Sequence, residues 1–163
     1  MDRRTTEFST LYRSYADDVF RFAFWLCGHR ADAEDITSET FARAYAGAGD
    51  VRAETAKAYL LTIARNLVLE RQRRHRSNEA LDENAADDAA DPEREADAAQ
   101  GVRRTLAALA TLAEPDRAAL LLAGHDGLDY RAIAELLGLS LTAVKVRIHR
   151  ARLRLAEALE NAP

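Results

Sequence analysis

The chain has 163 residues and a formal net charge of −4, with 48% hydrophobic and 31% charged side chains. Such a length fits one large domain or two small ones, and the composition suits a packed core beneath a charged surface. The single cysteine, Cys27, excludes an internal disulfide and any site built from several thiolates. No apolar run approaches the ~18 residues of a membrane span, and no signal-peptide core is present. We therefore expect a cytoplasmic chain without membrane insertion.

Long helices are favoured over a turn-rich β fold, because the chain contains only 7 Gly and 3 Pro. Charge is distributed unevenly along it. Residues 1–76 and 98–163 each carry a net charge of +2, whereas residues 77–97 carry −8. Blocks of like charge are typical of solvated segments, so we interpret residues 77–97 as an acidic flexible linker between two mildly basic lobes. This asymmetry indicates nucleic acid as a partner of the lobes.

The first lobe, residues 1–76, is predicted to form three helices. Apolar residues recur at intervals of three and four from Phe8 to Leu26, and Gly28 is a suitable end for that helix. A second helix is predicted from about Ala31 to Ala46, with acidic residues in its first turn, where the helix dipole favours them. A third, from Ala58 to Arg76, becomes strongly basic towards its end.

The second lobe, residues 98–163, contains the most informative stretch of the chain. A helix is predicted over 102–112, and Pro115 is placed to start another. A short helix over 130–137, a turn containing Gly138 and a long helix from 141 to about 159 follow. This order is the helix-turn-helix pattern.

The last helix is predicted to have an apolar inner face and a basic outer face. Val144 and Ile148 lie on the inner face, and Val146 lies on the opposite side. No acidic residue occurs between Lys145 and Arg154. Cations with interspersed apolar atoms suit the major groove of DNA, where they meet phosphates, guanine edges and thymine methyl groups. The alternative is an ordinary helical hairpin with a solvated basic face.

Three motifs follow one another in the chain: Asp32-Ala33-Glu34-Asp35, Ile63-Ala64-Arg65-Asn66 and Ile148-His149-Arg150-Ala151-Arg152. With them, nearly the whole chain resembles the extracytoplasmic-function (ECF, group IV) sigma factors of the sigma-70 family. The resemblance implies an all-α fold of two small helical domains. These are a region 2-like helical bundle over 1–76 and a region 4-like helix-turn-helix domain over 98–163, joined by the acidic flexible linker over 77–97.

The resemblance also implies partners and a function. A sigma factor binds core RNA polymerase, recognises the minus-ten and minus-thirty-five promoter elements and supports promoter opening, and relatives are typically held by an anti-sigma factor. It implies no catalytic residue, and we expect no cofactor. The four histidines are scattered without ligand spacing, so we expect no metal site either. The helix similar to the family's docking surface for the clamp helices of the largest polymerase subunit carries Asp32, Glu34, Asp35, Glu39 and Phe41. Acidic side chains suit a basic partner, and a solvated acidic first turn is the alternative.

The resemblance places promoter contacts on both lobes. The loop over 47–55 and the helix after it are similar to the part that captures an unstacked minus-ten base. Candidate contacts to that strand are Arg65, Asn66, Arg71, Arg73, Arg74 and Arg76, with a structural role as the alternative for the first two. Candidate minus-thirty-five contacts are Ser140, Thr142, Lys145, Val146, Arg147, His149 and Arg150. We expect Val146 to touch a thymine methyl group.

Two other classes of function are alternatives to this one. A stand-alone helix-turn-helix regulator, acting as a dimer without core polymerase, remains the alternative. An enzyme is disfavoured, because the sequence shows no nucleophile–base pair, metal cluster or phosphate loop.

Cys27 is interpreted as a core thiol, with a redox sensor as the alternative. Each weakly basic lobe is expected to bind DNA weakly by itself, so both must engage one DNA together.

Overall fold

The computed structural model describes residues 2–47, 51–79 and 98–162, and these residues form seven α-helices and no strand. The helices are α1 (Arg3–Cys27), α2 (Arg30–Ala46), α3 (Ala56–Glu79), α4 (Ala98–Ala110), α5 (Glu114–Gly124), α6 (Tyr130–Leu137) and α7 (Leu141–Glu160). The prediction of an all-α fold is therefore confirmed. No helix in this part of the chain has the length and apolarity needed to cross a membrane.

The first lobe is a bundle in which α1, α2 and α3 all pack against one another. Its core is made by the apolar faces of the three helices, including Phe22, Ile36 and Leu60, which are fully buried. As predicted, Gly28 ends α1: it adopts the left-handed conformation, with φ of 82°, and its amide donates to the Phe24 carbonyl at 2.8 Å. An L side chain at this position would be strained.

In the second lobe, α7 packs against α4, α5 and α6. Local capping fixes the short helix and its turn. Asp129 caps α6 by accepting from the Ala132 amide at 2.8 Å, and Ser140 caps α7 by accepting from the Ala143 amide at 3.1 Å. Gly138 between them adopts a left-handed φ of 66°. The capping side chain of Asp129 and the left-handed backbone of Gly138 explain why the boundaries of α6 match the sequence pattern.

Several predicted boundaries differ from the structure. α3 begins at Ala56 and continues to Glu79, so residues 77–79 extend the helix into the predicted linker. The rest of that segment, 80–97, lies outside the described residues. α4 ends at Ala110, and Leu112 follows it as a buried residue of the connection rather than as part of the helix.

The two lobes are in direct contact, which no sequence pattern predicted. Helix α1 packs against α4 and α5, and α3 packs against α6. Buried apolar residues of both lobes form one continuous cluster, which extends from Val19 in α1 to Ala151 in α7. The described residues therefore adopt a closed arrangement, in which part of each lobe is covered by the other.

Arg117 connects the two lobes through hydrogen bonds to backbone carbonyl oxygens of both. Its guanidinium donates to the carbonyl oxygens of Leu109 and Leu112, both at 2.9 Å, and to the Leu26 carbonyl of the first lobe at 2.7 Å. Burial lowers the pKa of Arg117. One side chain thus satisfies carbonyl groups at the end of α4, in the α4–α5 connection and at the end of α1, which cannot pair within a helix.

Replacing Arg117 with alanine is expected to lower the free energy of unfolding by about 3 kcal/mol, because carbonyl groups from both lobes lose a charged donor. Urea denaturation followed by circular dichroism measures the change. Arg131→Ala, on the exposed face of α6, is the matched control and should change stability by less than about 0.5 kcal/mol. Equal effects of the two substitutions would show that Arg117 does not hold the structure together.

Candidate nucleic-acid interface

Helix α7 presents the exposed outer face that the sequence predicted. Thr142, Lys145, Val146, His149 and Arg150 are all exposed on α7, whereas Val144, Ile148 and Ala151 are buried beneath them. Val146 is 49% exposed, so its methyl groups are available to an apolar partner. Ser140 is exposed too, but its hydroxyl is engaged in capping α7.

Arg147 differs from the other candidates on α7, because it is held by a buried acid. Its Nη1 atom lies 2.9 Å from Oδ1 of Asp116, whose side chain is 2% exposed in the first turn of α5. The Arg147 side chain itself is 33% exposed. The ion pair fixes α7 against α5, and it leaves part of the guanidinium at the surface.

Replacing Arg147 with alanine is expected to destabilise the protein by about 2 kcal/mol, because the Asp116 carboxylate would stay buried without its partner. Arg150→Ala removes an exposed cation from the same helix, and it should change stability by less than about 0.5 kcal/mol. Thermal and urea unfolding of both variants measure the difference. Equal stability of the two variants would contradict the structural role of the ion pair.

The candidate minus-ten residues lie along α3 in two different settings. Arg65 faces the second lobe, where Nε and Nη2 donate to the two carboxylate oxygens of Glu114, each at 2.8 Å. The side chains of this pair are 14% and 15% exposed. Asn66, next to it, is exposed. In the closed arrangement Arg65 therefore has a structural role, which was the predicted alternative to a DNA contact.

The basic end of α3 lies beside α2. Arg71 is 3.3 Å from Asp32 and 3.7 Å from Asp35, and Arg74 is 3.6 Å from Glu70 on its own helix. Arg73 and Arg76 are exposed near the end of α3. One cationic candidate for DNA contact therefore already pairs with two of the acidic candidates for polymerase contact.

The other candidate residues for polymerase contact on α2 are Glu34, Glu39 and Phe41. Glu34 pairs with Arg30 at 3.5 Å, and Glu39 pairs with Arg43 at 3.1 Å, both at exposed positions. Such surface pairs are weak and exchange readily with a charged partner. Phe41 is buried, with its ring 4.8 Å from that of Tyr12, so it supports the helix from within the core.

Sequence reasoning missed a set of residues that join the lobes: Lys57, Glu114, Arg117 and Asp126. Lys57 Nζ donates to the Asp126 carbonyl at 2.9 Å and lies 4.0 Å from an oxygen of the Asp126 carboxylate. The Asp126 carboxylate is buried, and no described group donates a hydrogen bond to it. Burial raises the pKa of Asp126, against the opposing charges of Lys57 and His125. These pairs join residues far apart in the chain, so no local signal marks them.

Cys27 is partly buried, and its thiol contacts the His29 carbonyl at 3.5 Å. Burial raises the pKa of this thiol, which disfavours the reactive thiolate at neutral pH. Within residues 2–47, 51–79 and 98–162, no group of three or more His, Cys, Asp or Glu side chains is arranged to hold a metal ion.

Two family models match the chain, one on each lobe. The model of Sigma-70 region 2 matches residues 11–78, and that of Sigma-70, region 4 matches residues 103–155. The first match covers α3 to within one residue of its end, and the second ends within α7.

Two proteins similar to this chain are both named as ECF RNA polymerase sigma factors. The ECF RNA polymerase sigma factor SigE of Mycolicibacterium smegmatis is 37% identical over 155 residues, which cover 91% of this chain and 60% of SigE. SigL of Mycobacterium tuberculosis, also an ECF RNA polymerase sigma factor, is 33% identical over 148 residues, covering 86% of this chain and 82% of SigL. The chain thus spans less than two thirds of SigE but most of SigL.

A solved structure has a similar arrangement of helices. The sigma factor RpoE in complex with the anti-sigma factor NepR, from Bartonella quintana, matches with a TM-score of 0.78 and 25% sequence identity. The match covers 96% of this chain and 99% of the RpoE chain.

Proposed function

The chain belongs to the ECF sigma factors of the sigma-70 family, and on that premise we propose that it directs core RNA polymerase to promoters. In this proposal it recognises the minus-ten and minus-thirty-five elements and supports promoter opening in the cytoplasm, without catalysing a reaction itself. The observation that carries the proposal is the outer face of α7, where exposed cations surround the exposed Val146 above a buried apolar stripe. This is the composition that reads a major groove.

The first lobe supplies the other contacts in this proposal. The acids of α2 form exposed, weakly held ion pairs, so basic side chains of the polymerase clamp can replace their present partners at little cost. Arg71 then loses Asp32 and Asp35 and becomes available to phosphates, together with Arg73, Arg74 and Arg76. Binding of polymerase and binding of the minus-ten strand would in this way support each other.

The two lobes act at separate places on the DNA in this proposal. Promoter elements two helical turns apart are separated by roughly 70 Å, whereas the lobes are in contact in the closed arrangement. They must therefore separate before both elements are read. We propose that the polymerase core holds the two lobes apart in this open arrangement.

An anti-sigma factor is the further partner that we propose. The similarity to RpoE extends over almost the whole of both chains. That structure contains RpoE in complex with the anti-sigma factor NepR. A protein of this class that bound the closed arrangement would keep the chain away from polymerase by favouring one of two states.

The test of the proposed function uses the full chain and purified core RNA polymerase. We expect the two to co-elute in size-exclusion chromatography and to support transcription from specific start sites that core polymerase alone does not use. Self-association with binding to palindromic DNA, in the absence of any complex with core, would instead support the stand-alone regulator and contradict the proposal.

Replacing Val146 with serine is expected to change base preference at one position of the minus-thirty-five element. The substitution removes the methyl groups that we expect to contact a thymine methyl group, so discrimination there should fall by about 1–3 kcal/mol. Transcription from a library of promoters randomised in this element measures the preference. Leu153→Ser is the control, since Leu153 is 60% exposed further along α7, and unchanged preference at every position in the Val146 variant would refute the contact.

A further inference from the structure

The Arg147–Asp116 ion pair lies at the edge of the exposed outer face of α7. Nη1 of Arg147 lies 2.9 Å from Oδ1 of Asp116, and no other group in the described part of the chain forms a hydrogen bond or an ion pair with this guanidinium. The Arg147 side chain is 33% exposed, whereas that of Asp116 is 2% exposed. The pair therefore presents part of a cation at the surface while a buried acid holds it.

Asp116 is itself held in place by its position in α5. It is the third residue of that helix, and the N-cap residue, Ala113, makes no side-chain hydrogen bond to the first turn. A carboxylate in the first turn is stabilised by the positive end of the helix dipole. Arg147 supplies the charge that compensates for its burial. Because the helix fixes the acid, the acid fixes the direction of the guanidinium.

The direction matters, because Arg147 lies on the flank of the face that we expect to enter the major groove. Val146 lies at the centre of that face, and the next residue is about 100° further round the helix. Arg150, three positions after Arg147, is exposed on the same side. A helix in the groove meets base edges with its centre, and its flanks face the phosphate backbones that form the walls of the groove. Arg147 is therefore placed for a phosphate.

A guanidinium can bind the acid and a phosphate at the same time. Its five N–H donors form a planar fork, so Nη1 can stay with Asp116 while Nε or Nη2 donates to a phosphate oxygen. An arginine that is free in solution loses side-chain entropy when it binds DNA, whereas a held arginine has already lost it when the lobe folds. Such preorganisation raises affinity without adding a contact.

We propose that Asp116 is a positioning residue for promoter DNA: it holds the Arg147 guanidinium so that the remaining donors bind one phosphate of the backbone beside the minus-thirty-five element. Asp116 does not touch the DNA and acts only through Arg147. The inference rests on the proposed function, in which α7 binds that element. It adds an acidic residue to a surface that otherwise binds through cations, although a negative charge near DNA by itself repels phosphates.

A positioning role and a purely electrostatic role of Asp116 predict opposite results. If only its charge mattered, Asp116→Asn would tighten promoter binding, because it removes a negative charge and leaves Arg147 in the chain. If it positions Arg147, the same substitution should weaken binding by about threefold to tenfold, which is the effect of having to immobilise one side chain. The slope of log K against log salt should also fall by about 1, since one phosphate contact is lost. Arg147→Gln should have the same effect on the slope.

The experiment uses holoenzyme assembled from core polymerase and the full chain. A fluorescent fragment of a promoter that this holoenzyme transcribes is titrated at several salt concentrations with the wild type, Asp116→Asn, Arg147→Gln and the doubly substituted chain. We expect the double variant to bind no more weakly than Arg147→Gln, because both substitutions remove the same contact. In fragments that carry one neutral methylphosphonate at a time, one position should weaken binding of the wild type and leave both single variants unchanged.

Two results would overturn the proposal. If Asp116→Asn binds the promoter as tightly as the wild type or more tightly, Asp116 does not position Arg147 for DNA. If base preference changes while no methylphosphonate position distinguishes the variants from the wild type, Arg147 reads a base and the phosphate contact is wrong. Circular dichroism verifies the fold of each variant, and Asp116→Ser replaces Asp116→Asn if that chain does not fold.

Glu157→Gln is the matched control, because it removes the same charge from an exposed position near the end of α7. It should change neither the salt slope nor the effect of any methylphosphonate. A merely structural role of the ion pair would lower the stability of Asp116→Asn in urea and leave its salt slope at the wild-type value. Formation of the wild-type holoenzyme is measured alongside. Loss of that complex would reject the proposed function, whereas a wild-type salt slope in Asp116→Asn would reject only the positioning role.

Discussion

Contact between the two lobes is the constraint on which the rest of the structure depends. Apolar residues of α1 and α5 belong to one buried cluster, and Arg117 satisfies carbonyl groups on both sides of it. Around this apolar contact, Arg65 and Lys57 supply charged pairs. Because the cluster is continuous, opening the lobes exposes apolar surface, and a partner must provide compensating contacts. A large enzyme that binds both lobes is suited to do so.

The polar pairs divide into two kinds according to burial. Pairs at the surface of α2, such as Glu34 with Arg30, are exposed and contribute little, so they can exchange for a partner's charges. The Arg147–Asp116 and Arg65–Glu114 pairs are more deeply placed, and removal of one member leaves its partner poorly hydrated. The first of these stabilises one lobe, whereas the second lies between the lobes. Only the second must break when they separate.

Elements with local signals were predicted well from the sequence. The bounds of α6 match the short helix predicted before the turn at Gly138, and the exposed face of α7 followed from the spacing of Val144 and Ile148. Such patterns depend on residues within a few positions of one another. Helix α3 continues through residues 77–79, past the predicted end at Arg76, because a polar, charged sequence can continue a helix that is already formed, without an apolar face to mark it.

The contact between the lobes could not be predicted in the same way. Arg65 and Glu114 are 49 positions apart, and each also suits another role in its own motif. Arg65 lies in a stretch that resembles a strand-binding helix, so the sequence alone predicts a DNA contact, with a structural role as the alternative. Lys57 stands at the start of α3 with nothing in its neighbours to mark it as a contact. Only the tertiary arrangement shows that both cations meet the same lobe.

The most direct test of this account is the distance between the lobes in the free chain and in the complex with polymerase. Fluorophores on cysteines introduced at Ser14 in α1 and Ala156 in α7, both exposed, report it by energy transfer in a chain that carries Cys27→Ala. The account predicts high transfer in the free chain and a large loss of transfer once core polymerase binds. Low transfer in the free chain, or transfer unchanged by polymerase, would contradict it.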